Sequence, residues 1–250
     1  MFPWILLGFF LVVIAAFFIF GFPRVSLPRK AGLEGIESPE AVQAYDRLSR
    51  WPQFRFLRWM IAGELKRYRP NGIVVDIGCG PGYLITKMAR SIPVIEIIGV
   101  DIADSMLQVA ADNLSSLGFG DRVSFRQGDV QKLPFEDNAV DFVISTFSLH
   151  HWSHPEEALR EIQRVLKPGG QFLIFDLRRD CRRFFYWLLY FATKVVVPAP
   201  MRQINEPLGS ALSSYTLSES KGILSEAGFQ RWKIRTGIGW MFLWGCKAER

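Results

Sequence analysis

The residues best suited to chemistry in this chain of 250 residues lie in a glycine-rich segment that begins with an acid. Asp76 is followed by Gly78, Gly80 and Gly82, so the glycines have the spacing G-x-G-x-G. Where a strand turns into a helix, glycines let the backbone approach a ligand and present free N–H groups to it. A dinucleotide fingerprint has the spacing G-x-G-x-x-G, so this segment alone indicates a nucleotide-like ligand without identifying it.

Two further acids follow the next two apolar runs of the chain. Asp101 ends one run, where a carboxylate can accept the hydroxyls of a ribose, and Asp129 with Val130 follows the other. Ile102 and Met106 offer apolar faces for a base. Each acid by itself could be a helix cap or a solvated loop residue. Together the carboxylates favour a cationic sulfonium and would repel the phosphates of a dinucleotide.

Short apolar runs alternate with amphipathic segments, which predicts a doubly wound α/β fold around a parallel sheet. The predicted strands are 73–77, 95–100, 123–127, 142–145 and 172–176, and the predicted helices between them are 83–91, 105–117 and 155–166. A helical segment over 39–68 precedes them, with Ser38 as its cap. Two last strand-like runs, 229–236 and 240–247, are joined by a Gly-Ile-Gly turn that predicts a hairpin.

These motifs, with Leu-Pro-Phe at 133–135 and Leu-Lys-Pro-Gly-Gly at 166–170, closely resemble the class I S-adenosylmethionine-dependent methyltransferases. The likeness covers about 45–247, and it is greatest to the branch that contains the ubiquinone/menaquinone C-methyltransferases. It implies a Rossmann-like sheet of seven strands with the last one antiparallel. It also implies that 166–170 ends the helix before the fifth strand.

The resemblance further implies S-adenosylmethionine as the cofactor. The glycine segment would line its methionine end, Asp101 would hold the ribose, and Asp129 with Val130 would hold the adenine. Ser145 and Thr146, with Phe147, end the fourth strand and would border the transferred methyl group. The expected cofactor-binding residues are Asp76, Gly78, Cys79, Gly80, Gly82, Asp101, Ile102, Met106, Asp129, Val130, Ser145 and Thr146.

A general base is needed only if the acceptor must lose a proton. His150 and His151, just past the fourth strand, are the candidate catalytic residues because imidazole titrates near neutral pH, although either could be a packed or capping histidine. No metal site is expected, since no cysteine or patterned carboxylate lies near the histidines. The three cysteines are far apart and form no C-x-x-C pair, which favours a reducing compartment.

The first 22 residues contain no charged side chain. A helix needs roughly 20 apolar residues to cross a bilayer, so 1–22 is predicted to be a transmembrane anchor. A signal peptide or a buried helix is the alternative, but the basic n-region of a signal peptide is missing. The first cations follow the segment, which predicts a single-pass membrane protein with a cytoplasmic catalytic domain. A linker over 23–38 and a methyltransferase domain over 39–250 complete the predicted organisation.

The formal net charge of +6 is unevenly distributed. Residues 24–69 contain ten basic and five acidic side chains, and 178–202 contain six and one. Because these segments flank apolar ones, membrane lipids are the expected partner and nucleic acid is not. The segment 178–216 is predicted to be an insertion that closes over the acceptor. Within it, the aromatic-rich 184–197 either lies in the membrane interface or packs as a lid.

The sequence therefore predicts an enzyme that methylates a small, lipophilic, membrane-associated acceptor: a quinone precursor, a prenylated ring or a lipid. A non-catalytic cofactor-binding scaffold of a membrane complex is the alternative, and a nicotinamide-dependent oxidoreductase is disfavoured by the glycine spacing. The acceptor's identity, the atom that is methylated and the oligomeric state do not follow from the sequence.

Overall fold

The computed structural model describes residues 8, 10, 12–14, 17, 21–25, 27–30 and 38–249. Within them the α-helices are α1 (Pro39–Ser49), α2 (Pro52–Lys66), α3 (Tyr83–Ser91), α4 (Asp104–Ser115), α5 (Pro155–Val165), α6 (Arg183–Phe191), α7 (Ala199–Gln203), α8 (Leu208–Ser213) and α9 (Leu217–Glu226). The strands are β1 (Gly72–Ile77), β2 (Ile95–Asp101), β3 (Val123–Gln127), β4 (Val140–Thr146), β5 (Leu166–Leu177), β6 (Arg231–Thr236) and β7 (Trp240–Cys246).

The seven described strands form one sheet in the order β3-β2-β1-β4-β5-β7-β6. The first five strands run parallel, and β7 lies antiparallel to both β5 and β6. The expected doubly wound sheet with an antiparallel last strand is therefore confirmed, as are the five predicted parallel strands and the hairpin. Between β1 and β4 the strand order reverses, and this is where open α/β sheets form a ligand crevice at the carboxyl ends of their strands.

Helices cover both faces of the sheet, so neighbouring residues of a central strand enter different cores. Val75 belongs to a cluster that includes Leu159 of α5 and Leu224 of α9. Val74 belongs to the opposite cluster, with Ile85 of α3 and side chains of α2. Because these strands are buried on both faces, their sequences are continuous apolar runs. The packing also fixes the position of the carboxyl edge, where the ends of the strands meet.

The helical segment predicted over 39–68 is two helices. Ser38 caps the first as predicted, and its Oγ accepts a hydrogen bond from the Ala41 N–H at 3.1 Å. The second helix begins at Pro52 because proline has no N–H to continue a helix but fits its first turn. The break turns α1 toward the carboxyl edge of the sheet, where Tyr45 lines the crevice.

The helix before the fifth strand ends where segment 166–170 begins, as expected, and the segment itself is part of the strand. The helix α5 ends at Val165, and β5 begins at Leu166, which pairs with Val140. The register shifts before Phe142 pairs with Gln171, so the proline and glycines form an irregular start of the strand. Gly169 has a φ of +76°, a conformation that favours glycine.

In the insertion, α6 continues into a π-helical turn (Ala192–Val196). Leu189 packs against Leu177, Leu208 and Ala211, with Phe147 at the margin of this cluster. The inner side of α6 therefore packs on the domain, as the lid alternative predicted. Its outer side carries exposed aromatic and aliphatic side chains.

The predicted anchor over 1–22 lies largely outside the described residues. No helix among the residues that the structure describes is long and apolar enough to cross a membrane. Part of the predicted linker packs on the domain: the Val25 N–H donates to the Cys181 carbonyl at 3.0 Å, and the Lys30 N–H donates to the Leu212 carbonyl at 3.1 Å. The described residues 23–25 and 27–30 are thus attached to the insertion by backbone hydrogen bonds.

Candidate functional site

A cavity of about 330 Å³ lies at the carboxyl edge of the sheet, where β1 and β4 are neighbours. Its lining includes residues from the glycine turn, from the ends of β2 and β4 and from the loop after β3. The predicted site residues that line it are Gly78, Gly80, Asp101, Ile102, Met106, Asp129, Val130, Thr146 and His151. The predicted site residues outside the lining are Asp76, Cys79, Gly82, Ser145 and His150.

The glycines of the turn after β1 leave the backbone accessible to a ligand and allow a helix to pack closely. Gly78, Gly80 and Gly82 have φ values of +69°, +51° and +76°, which side chains with a Cβ rarely adopt. A Cβ on Gly78 would lie 2.5 Å from the Ser148 Oγ, and one on Gly82 would lie 2.9 Å from Leu114 of α4. Gly82 therefore serves helix packing, whereas Gly78 and Gly80 leave backbone open to the cavity.

Asp76 is a buried acid at the end of β1. It is 1% exposed, and neither carboxyl oxygen has a hydrogen-bond partner among the described residues. Burial, and to a lesser extent the charge of Asp101, raises the pKa of Asp76 to about 8. A buried acid without a partner favours a cation or donor that would restore its charge. Cys79 points into the core beside it, and burial raises the pKa of the Cys79 thiol.

Asp101 connects the glycine turn to the end of β2. Its Oδ2 accepts a hydrogen bond from the Gly80 N–H at 2.8 Å, and its Oδ1 accepts one from the Ala103 N–H at 3.0 Å. Burial raises the pKa of Asp101 despite these hydrogen bonds, which act in the opposite direction. Asp129 accepts a hydrogen bond from the Gln131 N–H at 2.9 Å, which shapes the loop after β3.

The residues at the end of β4 differ in their roles: one is structural, and the next two line the cavity. The Ser145 hydroxyl is fully buried and donates to the Ile77 carbonyl at 2.8 Å, so this predicted site residue joins β4 to β1. Thr146 and Phe147 line the cavity. Phe147 has a φ of +55°, a strained conformation for a bulky residue, and it is held by edge-on contacts with Phe54 and Phe175.

The two candidate histidines occupy different environments. His150 is 1% exposed, and its Nδ1 lies 2.7 Å from Oδ1 of Asp176, a residue of β5. The backbone N–H of His150 also donates a hydrogen bond to Asp176 Oδ2 at 2.9 Å. His151 lines the cavity, and its ring centroid lies 4.1 Å from that of His150. Of the two predicted catalytic residues, His151 faces the space where an acceptor could bind, and His150 belongs to a buried pair behind it.

The lining also contains residues that the sequence did not single out for the site: Gln131, Ser148, Trp152 and Ser153. Tyr45 and Trp59 are the residues of the N-terminal helical segment that the sequence suggests for the pocket: Tyr45 of α1 lines the cavity, whereas Trp59 of α2 is 62% exposed and lies outside the lining. Burial, followed by the charges of Glu206 and Asp101, raises the pKa of Tyr45 to about 12. Glu206 is itself buried in the insertion, and burial raises its pKa. No local motif marks these residues, because distant elements bring them together.

Comparison with known proteins agrees with the family resemblance of the sequence motifs. A family model described as a methyltransferase domain matches residues 75–174. The ubiquinone/menaquinone biosynthesis C-methyltransferase of Ectopseudomonas mendocina is 44% identical over 46% of this chain and 46% of its own length. The chain thus spans about half the length of the first curated relatives that it matches. The enzyme of the same name from Pseudomonas savastanoi pv. phaseolicola is 34% identical over 67% of this chain and 69% of its own length.

The chain belongs to the S-adenosylmethionine-dependent methyltransferases. Its fold is also similar to that of a putative S-adenosylmethionine-dependent methyltransferase from Methanococcus maripaludis. The two have a TM-score of 0.67 and 23% sequence identity, over 90% of this chain and 99% of that one.

The site of this methyltransferase fits S-adenosylmethionine on structural grounds. Asp101 offers a carboxylate at the cavity wall, and Asp76, outside the lining, offers a buried carboxyl group without a hydrogen-bond partner among the described residues. Both suit a ligand with positive charge at one end and ribose hydroxyls nearby. Ile102, Met106 and Val130 line the cavity beside them and provide apolar surface for an adenine. Gly78 and Gly80 let the backbone approach such a ligand closely.

Proposed function

We propose that this protein transfers the methyl group of S-adenosylmethionine to a small, lipophilic acceptor of the quinone-precursor class. The observation that carries the proposal is the cavity itself. Its lining contains Asp101 and the glycine turn together with the aromatic side chains of Tyr45, Phe147 and Trp152. Acidic groups for a cationic donor and aromatic side chains for a ring-shaped acceptor therefore line the same cavity. The relatives from Ectopseudomonas mendocina and Pseudomonas savastanoi are named as C-methyltransferases of ubiquinone and menaquinone biosynthesis, which supports a quinone-type ring as the acceptor.

S-adenosylmethionine supplies an electrophilic methyl group on a positively charged sulfur. The chain contributes alignment and exclusion of water, which are the main requirements of an in-line displacement at carbon. Asp76 and Asp101 would hold the charged and ribose parts of the cofactor, and Asp129 with Val130 would border its base. Phe147, fixed by Phe54 and Phe175, would position the acceptor ring against the methyl group.

His151 is the proposed proton acceptor. Methylation of a ring activated by a hydroxyl group requires removal of a proton, and His151 is a cavity-lining imidazole on the acceptor side. His150, held by Asp176, supports the 3₁₀ turn that carries His151 (Leu149–His151). In this proposal His150 positions the turn and does not contact the acceptor.

The proposal also includes a membrane location, with residues 1–22 as a single-pass anchor and the catalytic domain on the cytoplasmic side. The uncharged composition of 1–22 and the cations that follow it support this arrangement. A membrane-held enzyme would receive a lipophilic acceptor directly from the bilayer.

The decisive experiment incubates the full-length protein with a membrane extract and methyl-labelled S-adenosylmethionine, followed by identification of the labelled species. A labelled prenylated quinone precursor is expected. Asp101→Asn should weaken binding of S-adenosylhomocysteine by about tenfold or more, because it removes a charged hydrogen-bond acceptor. Asp121→Asn, at a surface 3₁₀ turn (Gly120–Arg122), is the matched control. Tight cofactor binding without any labelled product would favour the scaffold alternative.

The same assay tests the proton acceptor. His151→Ala should lower kcat by about a hundredfold while the affinity for S-adenosylhomocysteine stays unchanged, because general base catalysis is typically worth that factor. His154→Ala is the matched control, since His154 is exposed and lies outside the cavity lining. Equal kcat values for the two variants would remove His151 from the mechanism.

A further inference from the structure

The outer side of α6 and of its π-helical turn forms an apolar surface that the domain does not cover. Trp187 and Phe191 are 58% and 55% exposed, and Leu188, Val195 and Val196 are exposed with them. On the inner side, Leu189 and Thr193 are buried, and the Thr193 Oγ1 accepts a hydrogen bond from the Leu208 N–H at 3.0 Å. The helix is therefore fixed on one side and presents large apolar side chains on the other. We call this exposed set of five side chains the α6 face.

The α6 face begins where the apolar N-terminal segment ends. The Arg183 N–H donates to the Pro23 carbonyl at 2.9 Å, and an Arg182 guanidinium nitrogen donates to the Phe22 carbonyl at 3.0 Å. Arg24 and Arg182 also form an antiparallel bridge. These contacts place the end of segment 1–22 at the first turn of α6, so two apolar parts of the chain meet at one place on the molecule.

The charged side chains in the segment that carries the α6 face are all cationic. No acidic residue occurs between Cys181 and Asn205 in the sequence. The side chains of Arg183 at the start of α6 and Lys194 in the π-helical turn are exposed, and Arg24 is exposed beside them. Cations around aromatic and aliphatic side chains are typical of helices that lie in the headgroup region of an anionic bilayer.

We propose that the α6 face is a membrane-docking surface for a bilayer with anionic headgroups. Trp187 and Phe191 lie at the boundary between headgroups and acyl chains, and Arg183 and Lys194 contact the headgroups. An exposed apolar patch of this kind on a soluble domain requires a covering partner. The bilayer fits better than a second copy of the chain, since a symmetric contact would bring the like charges of two such surfaces together.

Docking in this orientation brings the bilayer close to the acceptor side of the cavity. The inner side of α6 packs through Leu189 in the same cluster that Phe147 borders, and Phe147 lines the cavity. One helix thus lies between the membrane surface and the acceptor side of the site. The docking proposal does not depend on methyl transfer, because it concerns only which surface of the folded protein contacts lipid.

Site-directed spin labelling tests the proposal on the full-length protein. The three native cysteines are buried, so new surface cysteines can be labelled selectively. Nitroxides are attached in Trp187→Cys and in Phe191→Cys, and the control label is attached in Val94→Cys. Val94 is 72% exposed and precedes β2, at the edge of the sheet opposite the cavity. Each variant is first checked for unchanged binding of S-adenosylhomocysteine.

The labelled proteins are then bound to vesicles of phosphatidylcholine with phosphatidylglycerol. Labels at 187 and 191 should become accessible to oxygen and inaccessible to a water-soluble nickel relaxant, while the label at 94 stays accessible to the relaxant. Arg183→Gln with Lys194→Gln should reduce this change. The proposal is overturned if labels at 187 and 191 stay water-exposed on vesicle-bound protein, or if the label at 94 changes equally. It is also overturned if labels at 187 and 191 become buried without vesicles as the protein concentration rises, which would indicate a second copy.

Discussion

Asp76 shows how a single residue can be prepared for a cofactor. A carboxyl group with no described partner and 1% exposure is costly when charged, which is why its pKa rises to about 8. In the cofactor-free protein the folded state therefore holds this proton to higher pH than the unfolded chain does. Asp76 consequently makes folding less favourable as the pH rises from its ordinary pKa toward about 8. A cationic ligand would reverse this by favouring the ionised form.

Binding of S-adenosylmethionine should therefore release a proton from Asp76 at pH 7. The affinity should increase as the pH rises from about 6 to about 8, because less work is then needed to ionise the acid. Isothermal titration calorimetry in two buffers with different ionisation enthalpies measures the number of protons released.

The control for this prediction is Asp76→Asn, which keeps the size of the side chain and cannot ionise. It should abolish most of the proton release and flatten the pH dependence of the affinity. If the variant and the natural protein release the same number of protons, another acid such as Asp101 carries the effect.

At the scale of secondary-structure elements, the insertion and the C-terminal hairpin depend on each other. The turn between β6 and β7 contains Gly239, and a Cβ there would lie 2.0 Å from the Phe185 ring of α6. The Arg178 N–H and the Arg182 N–H donate to the carbonyls of Gly239 and Ile238 at 3.0 Å and 3.2 Å. The hairpin, whose last strand distinguishes this sheet from a fully parallel one, thus also positions the lid helix.

Gly239→Ala should displace Phe185 and loosen α6. The expected cost is about 1–3 kcal/mol of unfolding free energy, as for other overpacked sites. The KM for the acceptor should rise, while the affinity for S-adenosylhomocysteine should change little because no residue of the hairpin turn lines the cavity. Chemical denaturation and steady-state kinetics measure the two effects.

Gly222→Ala is the matched control in α9. A Cβ there meets nothing within 4 Å, so alanine should stabilise the helix by up to about 1 kcal/mol. A loss of stability in both variants would mean that the effect at Gly239 does not come from the contact with Phe185.

At the scale of the whole molecule, we expect folding of the domain and the proposed membrane attachment to be separable. The hydrophobic clusters of the described structure consist of residues between Ala44 and Leu243. The described residues before 31 add backbone hydrogen bonds to the insertion, such as the one from Val25 to Cys181. We therefore expect that the apolar segment 1–22 can be shortened without opening the core formed by the described residues.

A variant that lacks residues 1–21 should keep its affinity for S-adenosylhomocysteine and its thermal midpoint. It should still sediment with anionic vesicles through the α6 face, but about 1 M sodium chloride should release it, because salt at this level screens headgroup charges. The full-length protein should remain on the vesicles at the same salt concentration. Persistent sedimentation of the shortened variant at high salt would contradict the assignment of 1–22 as the anchor.

The sequence by itself determined the cofactor side of the site. Asp76 and the three glycines are close in the chain, and Asp101 and Asp129 each follow the end of one strand. Parallel strands bring such ends to one edge, so a local pattern was enough to place them together. The same reasoning predicted the strands and the antiparallel hairpin. A strand that is buried on both faces consists largely of apolar residues, so its position can be predicted from composition.

The tertiary structure alone decided where Tyr45 and the two histidines lie. His150 and His151 are neighbours in the sequence, yet one pairs with Asp176 on β5 and the other lines the cavity. Tyr45 reaches the cavity from α1 only because the helical segment breaks before Pro52. Such contacts join elements that are far apart in the chain. Packing, rather than any local pattern, decides which face of a short turn contacts a given strand.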